Sequence, residues 1–104
     1  MSKRPERIKV ISKRFTVEYQ PTGSADLDPE HAGECRTLEQ RILIEEGMKP
    51  DTQKDTLLHE VLHAISDEMD LELSEEQVTG AAKGILAVLM DNPTFARYLL
   101  RRER

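Results

Sequence analysis

Apolar and polar residues alternate with a period of two in the first half of the chain. Phe15, Val17 and Tyr19 are separated by polar residues at the even positions. Since successive side chains of a strand point to opposite faces, this alternation predicts a half-buried strand. A shorter run over Ile8–Ile11, rich in β-branched residues, predicts a strand before it.

A second pair of strands is predicted further along. Segments 35–38 and 41–45 are expected to form a hairpin around Glu39-Gln40, and Ile42, Leu43 and Ile44 are its strongest strand formers. The Pro, Gly, Ser and Asp residues within 21–33 predict a loop. These segments together predict a short antiparallel or mixed sheet of three to four strands.

The apolar spacing changes to a helical period in the second half. A helix is predicted over 50–69, because Pro50 suits a first helical turn. Ser74 and Gln77 form a capping-box pattern that predicts a second helix to about residue 90. A short helix over 94–102 follows a break at Asp91-Asn92-Pro93. The predicted fold class is α+β.

Length and composition limit the class of protein. The 104 residues fit a single domain, 1–104, with flexible ends at 1–6 and 103–104. The single cysteine, Cys35, has no intrachain partner, so a reducing compartment and a cytoplasmic protein are expected. No apolar run approaches the ~20 residues that cross a membrane, and residues 1–14 are too charged for a signal peptide.

Charge is distributed unevenly along the chain. Residues 1–14 carry six basic side chains and one acidic one, and residues 97–104 carry four and one, although the whole chain has a net charge of −5. Basic ends are most simply solvated tails. Two Phe, two Tyr and no Trp offer few surfaces for base stacking, which argues against nucleic acid as a partner.

The strongest chemical signal is His59-Glu60-Val61-Leu62-His63, an HExxH motif inside an apolar run. Side chains at i and i+4 share one face of a helix, so both imidazoles can reach one metal ion. Glu60 lies about 100° around the helix, beside that ion without binding it. This is the arrangement of zinc peptidases, in which the glutamate is the general base. The prediction is one Zn²⁺ per chain, bound by His59 and His63, with Glu60 catalytic.

A zinc site of this kind needs a third protein ligand. Ser66 and Met69 occupy the glycine and histidine positions of the longer HExxHxxGxxH motif, which is therefore absent. Asp67 is too far along the same helix, because ligands at i, i+4 and i+8 span ~12 Å. In the second helix Glu75 shares the apolar stripe, which comprises Val78, Ala82, Ile85, Leu86 and Leu89. Glu75 is therefore the predicted third ligand, with Glu76 as the alternative.

Two segments carry a resemblance to a known group. T-L-L-H-E-V-L-H-A-I, followed by L-x-L-S-E-E-Q-V at the start of the next helix, resembles the small phage and prophage metallopeptidase-like proteins of the ImmA/IrrE type. The resemblance covers roughly residues 35–93 and implies a minimal zincin in a bacterial host cell. It implies His59 and His63 as ligands, Glu60 as base and one glutamate of the pair 75–76 as third ligand. Residues 78–81 depart from the fuller family pattern, E-x-x-A-N/D-x-F-A.

Three functions compete at this point. The first is a zinc metallopeptidase that hydrolyses a peptide or protein substrate paired with an edge strand formed by Ile42, Leu43, Ile44 and Glu45. The second is a phage-type zinc protein without turnover that binds a host or phage protein. The third is a metal-free domain in which the histidines are core residues. Four residues are candidates for a second oxyanion donor: His31, Tyr19, Tyr98 and Arg41.

Overall fold

The computed structural model describes residues 4–103 and shows an α+β chain with a four-stranded mixed sheet and three helices. The strands are β1 (Arg7–Val10), β2 (Lys13–Gln20), β3 (Gly33–Arg36) and β4 (Arg41–Glu45). The helices are α1 (Pro50–Glu68), α2 (Glu75–Asp91) and α3 (Pro93–Leu100). The predicted strands, the hairpin and the three helices are confirmed. The ends of the helices are shifted by one or two residues, and the first strand of the hairpin lies at 33–36 instead of 35–38.

The order of strands in the sheet is β1-β2-β4-β3. β1 is antiparallel to β2, β2 is parallel to β4, and β3 is antiparallel to β4. The loop between β2 and β3 carries the chain past the position of β4, so that β3 takes the outer place beside it. The expectation that segment 42–45 is an edge strand is therefore wrong. β4 pairs on both sides, and the two edge strands are β3, next to β4, and β1 at the opposite end of the sheet.

The core lies between one face of the sheet and α1. Phe15 and Val17 of β2 and Ile42 and Ile44 of β4 are almost completely buried there, together with Ala64 of α1. The period of two explains this set, because alternate residues of both central strands point to the same side. Burying such side chains contributes about 1.5–3 kcal/mol each, which fixes α1 against the sheet.

Leu43 shows that the opposite face of the sheet is also covered. It is fully buried, although it points away from Ile42 and Ile44. Charged neighbours on β2 and β4 surround it, among them Glu18, whose two oxygens accept hydrogen bonds from Arg41 at 2.6 and 2.8 Å. This ion pair lowers the pKa of Glu18, chiefly through the hydrogen bond from Arg41. The side chains on the sheet face opposite α1, the far face, therefore contact one another and stabilise the sheet.

The connection between α1 and α2 is held by backbone and hydroxyl contacts. The buried Ser66 hydroxyl accepts a hydrogen bond from the Leu73 amide at 2.9 Å, and the Ser66 carbonyl accepts one from Leu71 at 2.9 Å. The predicted capping box is present, since Ser74 and Gln77 each accept from the backbone amide of the other. These bonds determine where the first turn of α2 lies relative to α1.

The remaining segments meet the rest of the chain as follows. Residues 1–3 and 104, part of the predicted flexible ends, lie outside the described residues. Arg4 stacks on the Tyr19 ring. The Pro5 carbonyl accepts a hydrogen bond from the Tyr19 hydroxyl at 2.7 Å. Whether the ends are flexible stays a prediction. Within residues 4–103, none of the helices is both long and apolar enough to cross a membrane.

Candidate metal centre

His59 and His63 converge on one point at the surface of α1. Their Nε2 atoms are 3.2 Å apart, and both side chains are only partly exposed. The convergence follows from the helical period, which places i and i+4 one above the other. Apolar residues on either side pack α1 against the sheet and hold the motif in place, among them Leu57, Val61 and Ile65.

Glu75 brings a carboxylate to the same point from the first turn of α2. Its Oε1 lies 2.7 Å from His59 Nε2, and its Oε2 lies 2.8 Å from His63 Nε2. Burial raises the pKa of Glu75, but the charges of the two histidines and their hydrogen bonds outweigh it, so that the net pKa is lowered. Glu76, the alternative ligand, is exposed and lies outside the cluster formed by His59, His63 and Glu75.

The donor set fits a zinc ion. Two imidazole nitrogens and one carboxylate oxygen are the ligands of a catalytic site that leaves one position open. Tetrahedral ligands with bonds of about 2.1 Å are about 3.4 Å apart. One ligand atom from each of the three residues can be chosen so that all lie within 4.8 Å of one another, and the two histidines contact different oxygens of Glu75.

Glu60 lies beside this cluster, with only 6% of its surface exposed. Burial, together with the negative charges of Glu75 and Glu34, raises its pKa to about 7 in the metal-free protein. A carboxylate with a pKa near 7 is matched to accepting a proton at neutral pH. Its side chain lines two cavities at the surface, and Glu75 lines both of them as well.

Gly33 allows the edge strand β3 to approach Glu60. The sequence predicted Gly33 as part of the loop 21–33 and gave it no role. A Cβ at this position would lie 2.8 Å from Thr56 Cγ2 and 3.1 Å from Glu60 Oε2. Only a residue without a side chain permits this contact between β3 and α1. A glycine at the start of a strand was the available signal for such a close approach.

Gly33→Ala is therefore expected to lower the free energy of unfolding by about 1–3 kcal/mol, because the added methyl group overpacks the contact. Thermal unfolding measures the effect, and the double variant with Thr56→Ser should recover part of it. Gly80→Ala is the matched control, since nothing lies within 4 Å of a Cβ there and alanine favours a helix by up to about 1 kcal/mol. Equal stability of the Gly33→Ala variant and the native chain would contradict the steric role.

Two adjoining cavities flank the cluster. One, of about 210 Å³, extends toward Asp55 and Lys83, whose side chains form a 2.7 Å ion pair between α1 and α2. The other, of about 630 Å³, extends toward Thr37 and Asp67. Both are lined by the same four residues at their junction: His31, Gly33, Glu60 and Glu75. A groove therefore runs past the cluster, with β3 on one side.

The predicted substrate-binding strand is not in this groove. Ile42, Leu43 and Ile44 are fully buried, and Glu45 accepts a hydrogen bond from Thr22 at 3.0 Å. Because β4 is hydrogen-bonded to strands on both sides, it has no free edge to offer a peptide. The assignment of these four residues to substrate binding is corrected, and the adjacent edge strand Gly33–Arg36 has the required position.

The structure also distinguishes among the four candidate oxyanion donors by their distance from the groove. His31 lines both cavities. Tyr19 binds the Pro5 carbonyl, Arg41 is paired with Glu18 and Glu39 on the far face, and Tyr98 lies on α3 beneath Arg101. His31 is therefore the one of the four whose position suits contact with a ligand in the groove.

The choice between the two glutamates leads to a direct prediction. Glu75→Ala is expected to weaken Zn²⁺ affinity at least about 100-fold, since a first ligand contributes more than the outer partners that cost 10–100-fold. Glu76→Ala should change helix stability by only a few tenths of a kcal/mol. Zinc titration against a competing chelator measures both, and a larger loss in the Glu76 variant would reverse the assignment.

Comparison of the chain with known proteins found no relative. No family model, no curated protein and no solved structure matches the chain. What the groove and its cluster can do thus rests on the chemistry of their own residues.

Proposed function

We propose that the chain is a zinc-dependent metallopeptidase of minimal zincin type. The observation that carries the proposal is the cluster of His59, His63 and Glu75, whose potential ligand atoms lie within 4.8 Å of one another, with the buried Glu60 beside them. The two segments that resemble the ImmA/IrrE type support the same conclusion. Zn²⁺ in such a site supplies Lewis acidity toward a carbonyl and lowers the pKa of water to about 7.

The residues of the chain have separate tasks in this proposal. Glu60 would accept the proton of the attacking water and then donate it to the leaving amine, as a carboxylate beside the cluster can. His31, which lines both cavities, is proposed to donate a hydrogen bond to the carbonyl oxygen as it becomes negative.

The edge strand β3 is proposed to hold the peptide. Its pairing with β4 leaves its other backbone edge without a strand partner, and Gly33 at its start lies close to Glu60. An extended peptide added there gains main-chain hydrogen bonds, and its scissile carbonyl is held close to the cluster. The proposed partner is therefore a flexible or unfolded segment of a peptide or protein.

Metal content is the first test. The purified protein is expected to bind one Zn²⁺ per chain, and cobalt substitution should give the absorption of a tetrahedral site. Hydrolysis of a fluorescently labelled, unfolded protein should depend on that metal and be lost with a chelator. Absence of bound metal after zinc supplementation would leave the cluster as a polar feature of the surface and end the proposal.

A further inference from the structure

The larger of the two cavities differs from the smaller one in its charge. Acidic side chains line it on both walls, Glu34 on β3 and Asp67 on α1, in addition to Glu60 and Glu75 at the junction. Among the described residues, no lysine or arginine belongs to its lining. In the smaller cavity Asp55 is already paired with Lys83 at 2.7 Å. Of the acidic side chains in the larger cavity, Glu34 is paired with Arg36 and Glu75 contacts the two histidines, whereas no ion pair with a lysine or arginine is found for Asp67 within residues 4–103.

The position of Asp67 relates this charge to the cluster. Asp67 follows His63 by four residues, so it lies one turn further along the same face of α1, about 6 Å along the helix axis. Its Oδ2 accepts a hydrogen bond from the Thr37 hydroxyl at 2.6 Å, which ties the carboxylate to the turn between β3 and β4. The other oxygen remains available to a ligand, and the residue is exposed.

Glu34 faces Asp67 from the edge strand. Its Oε2 accepts a hydrogen bond from Arg36 Nε at 2.7 Å, and Arg36 is also bound to the Asp26 carbonyl, which holds its guanidinium on the loop side. Cys35 also lines this cavity. Burial is the main reason that the pKa of its thiol is raised to about 11, and the negative charges of Glu60, Asp67 and Glu34 contribute to that value. Asp67 and Glu34 therefore both lie close enough to act on a group inside the cavity.

Glu60 provides an independent indication that the cavity takes a ligand. It is more than nine-tenths buried, no hydrogen bond from another side chain or amide is found for it within residues 4–103, and its carboxylate lines the cavity. Its oxygens are accessible from the cavity, since no buried side-chain oxygen or nitrogen within residues 4–103 lacks a partner, so a ligand in the cavity can contact this carboxylate. The volume of about 630 Å³ also accommodates a long side chain.

We propose that this cavity is a specificity subsite for a lysine or arginine side chain of the peptide bound along β3, recognised by the carboxylates of Asp67 and Glu34. The inference rests on the proposed function, because the peptide is the proposed substrate. One helical turn between His63 and Asp67 corresponds to the reach of a lysine or arginine side chain from a backbone held at the cluster. An ammonium or guanidinium there forms charge-assisted hydrogen bonds, the guanidinium bidentate ones.

Binding to the zinc-loaded Glu60→Gln protein tests the subsite without turnover. The probes are fluorescein-labelled eight-residue peptides of Gly, Ala and Ser, with one Lys, Arg, norleucine or Glu moved through the positions. At one position, the Lys and Arg peptides should bind at least about tenfold more tightly than the norleucine peptide at low salt, and the preference should shrink as salt screens it. Asp67→Asn should remove most of the preference, and Asp67→Lys should transfer it to the Glu peptide.

Asp70→Asn is the matched control. Asp70 is exposed, lies outside the lining of either cavity, and has φ 55°, a conformation that asparagine accepts. This variant should keep the preference for Lys and Arg. Equal binding of Lys and norleucine peptides, no binding of any of the peptides, or equal losses in the Asp67→Asn and Asp70→Asn variants would overturn the subsite.

The failure of the subsite and of the peptidase are distinguishable. Hydrolysis by the native protein without a preference for Lys or Arg would remove the subsite and leave the peptidase. A preference in binding by the Glu60→Gln protein, with no hydrolysis by the native protein, would leave the subsite on a protein that binds basic peptides without cleaving them.

Discussion

His63→Ala is expected to abolish the stabilisation of the protein by zinc. A ligand that binds only the folded state stabilises it by about 2.7 kcal/mol at a concentration 100 times its Kd. For about 100 residues this corresponds to an increase of roughly 10–20 °C in Tm. The variant should show almost none of this increase, because one histidine and Glu75 do not hold the metal well. Thermal unfolding with and without Zn²⁺ measures the effect, and His59→Ala should behave in the same way.

The remaining histidine is the control for this experiment. His31→Ala removes an imidazole that lines the groove but lies outside the cluster of His59, His63 and Glu75. Zinc should stabilise this variant as it does the native chain. If zinc raises the Tm of the His63 variant by the native amount, the cluster is not the metal site. Equal loss in the His31 variant would require a different set of ligands.

Glu60→Gln is expected to keep the metal and to lose hydrolysis. An amide cannot accept the proton of the attacking water, and removing a general base costs about 10²–10⁴-fold in rate. The amide has almost the same volume as the carboxylate, so the contact with Gly33 should persist. Zinc titration and the rate of hydrolysis, measured on the same preparation, separate the two roles. Glu76→Gln, an exposed change of the same kind on α2, should retain both.

The metal-free Glu60→Gln protein makes a second, independent measurement possible. Burial and the charges of Glu75 and Glu34 raise the pKa of Glu60 from 4.5 to about 7. Below pH 4.5 the carboxyl is neutral in both the folded and the unfolded state, and its burial costs no stability. As the pH rises through 7 the carboxyl ionises in the folded state as well, and the folded state loses stability because it buries the charge. Glutamine resembles the protonated form, so the variant should be the more stable protein at pH 8, by on the order of 2–3 kcal/mol. The difference should vanish near pH 4, and a variant that is less stable at pH 8 would contradict the burial of the charge.

The exposed apolar face shared by α2 and α3 is a second feature of the molecule. The apolar stripe of α2 is fully buried only at Val78 and Ala82, whereas Ile85 is 43% exposed. Further along, Val88 and Leu89 line an apolar cavity together with Phe95 and Leu99 of α3. The helical period predicts one continuous packing face, but the buried part of the stripe is the part nearest Glu75. The helical period cannot show how far along α2 its neighbour extends.

Local patterns were sufficient for the elements and for most of the metal cluster. The alternation around Phe15 and Val17, the capping box at Ser74 and the i, i+4 spacing of His59 and His63 each reflect interactions between residues close in sequence. Helical phase also favoured Glu75 over Glu76, because the phase of a side chain within a helix depends on the helix alone. The distance between Glu75 and the histidines, by contrast, depends on the connection through Ser66.

By itself, the sequence determined the α+β class, the bounds of its strands and helices to within a few residues, and the face of α1 on which the two histidines meet. The tertiary structure decided which strand forms the edge, since β4 and β3 compete for that place and no local signal records the path of the loop between β2 and β3. It also decided that Gly33 touches Glu60 and that Glu34 and Asp67 share a cavity. These contacts join residues far apart in sequence, and they form only when burial of the core has placed the sheet against α1.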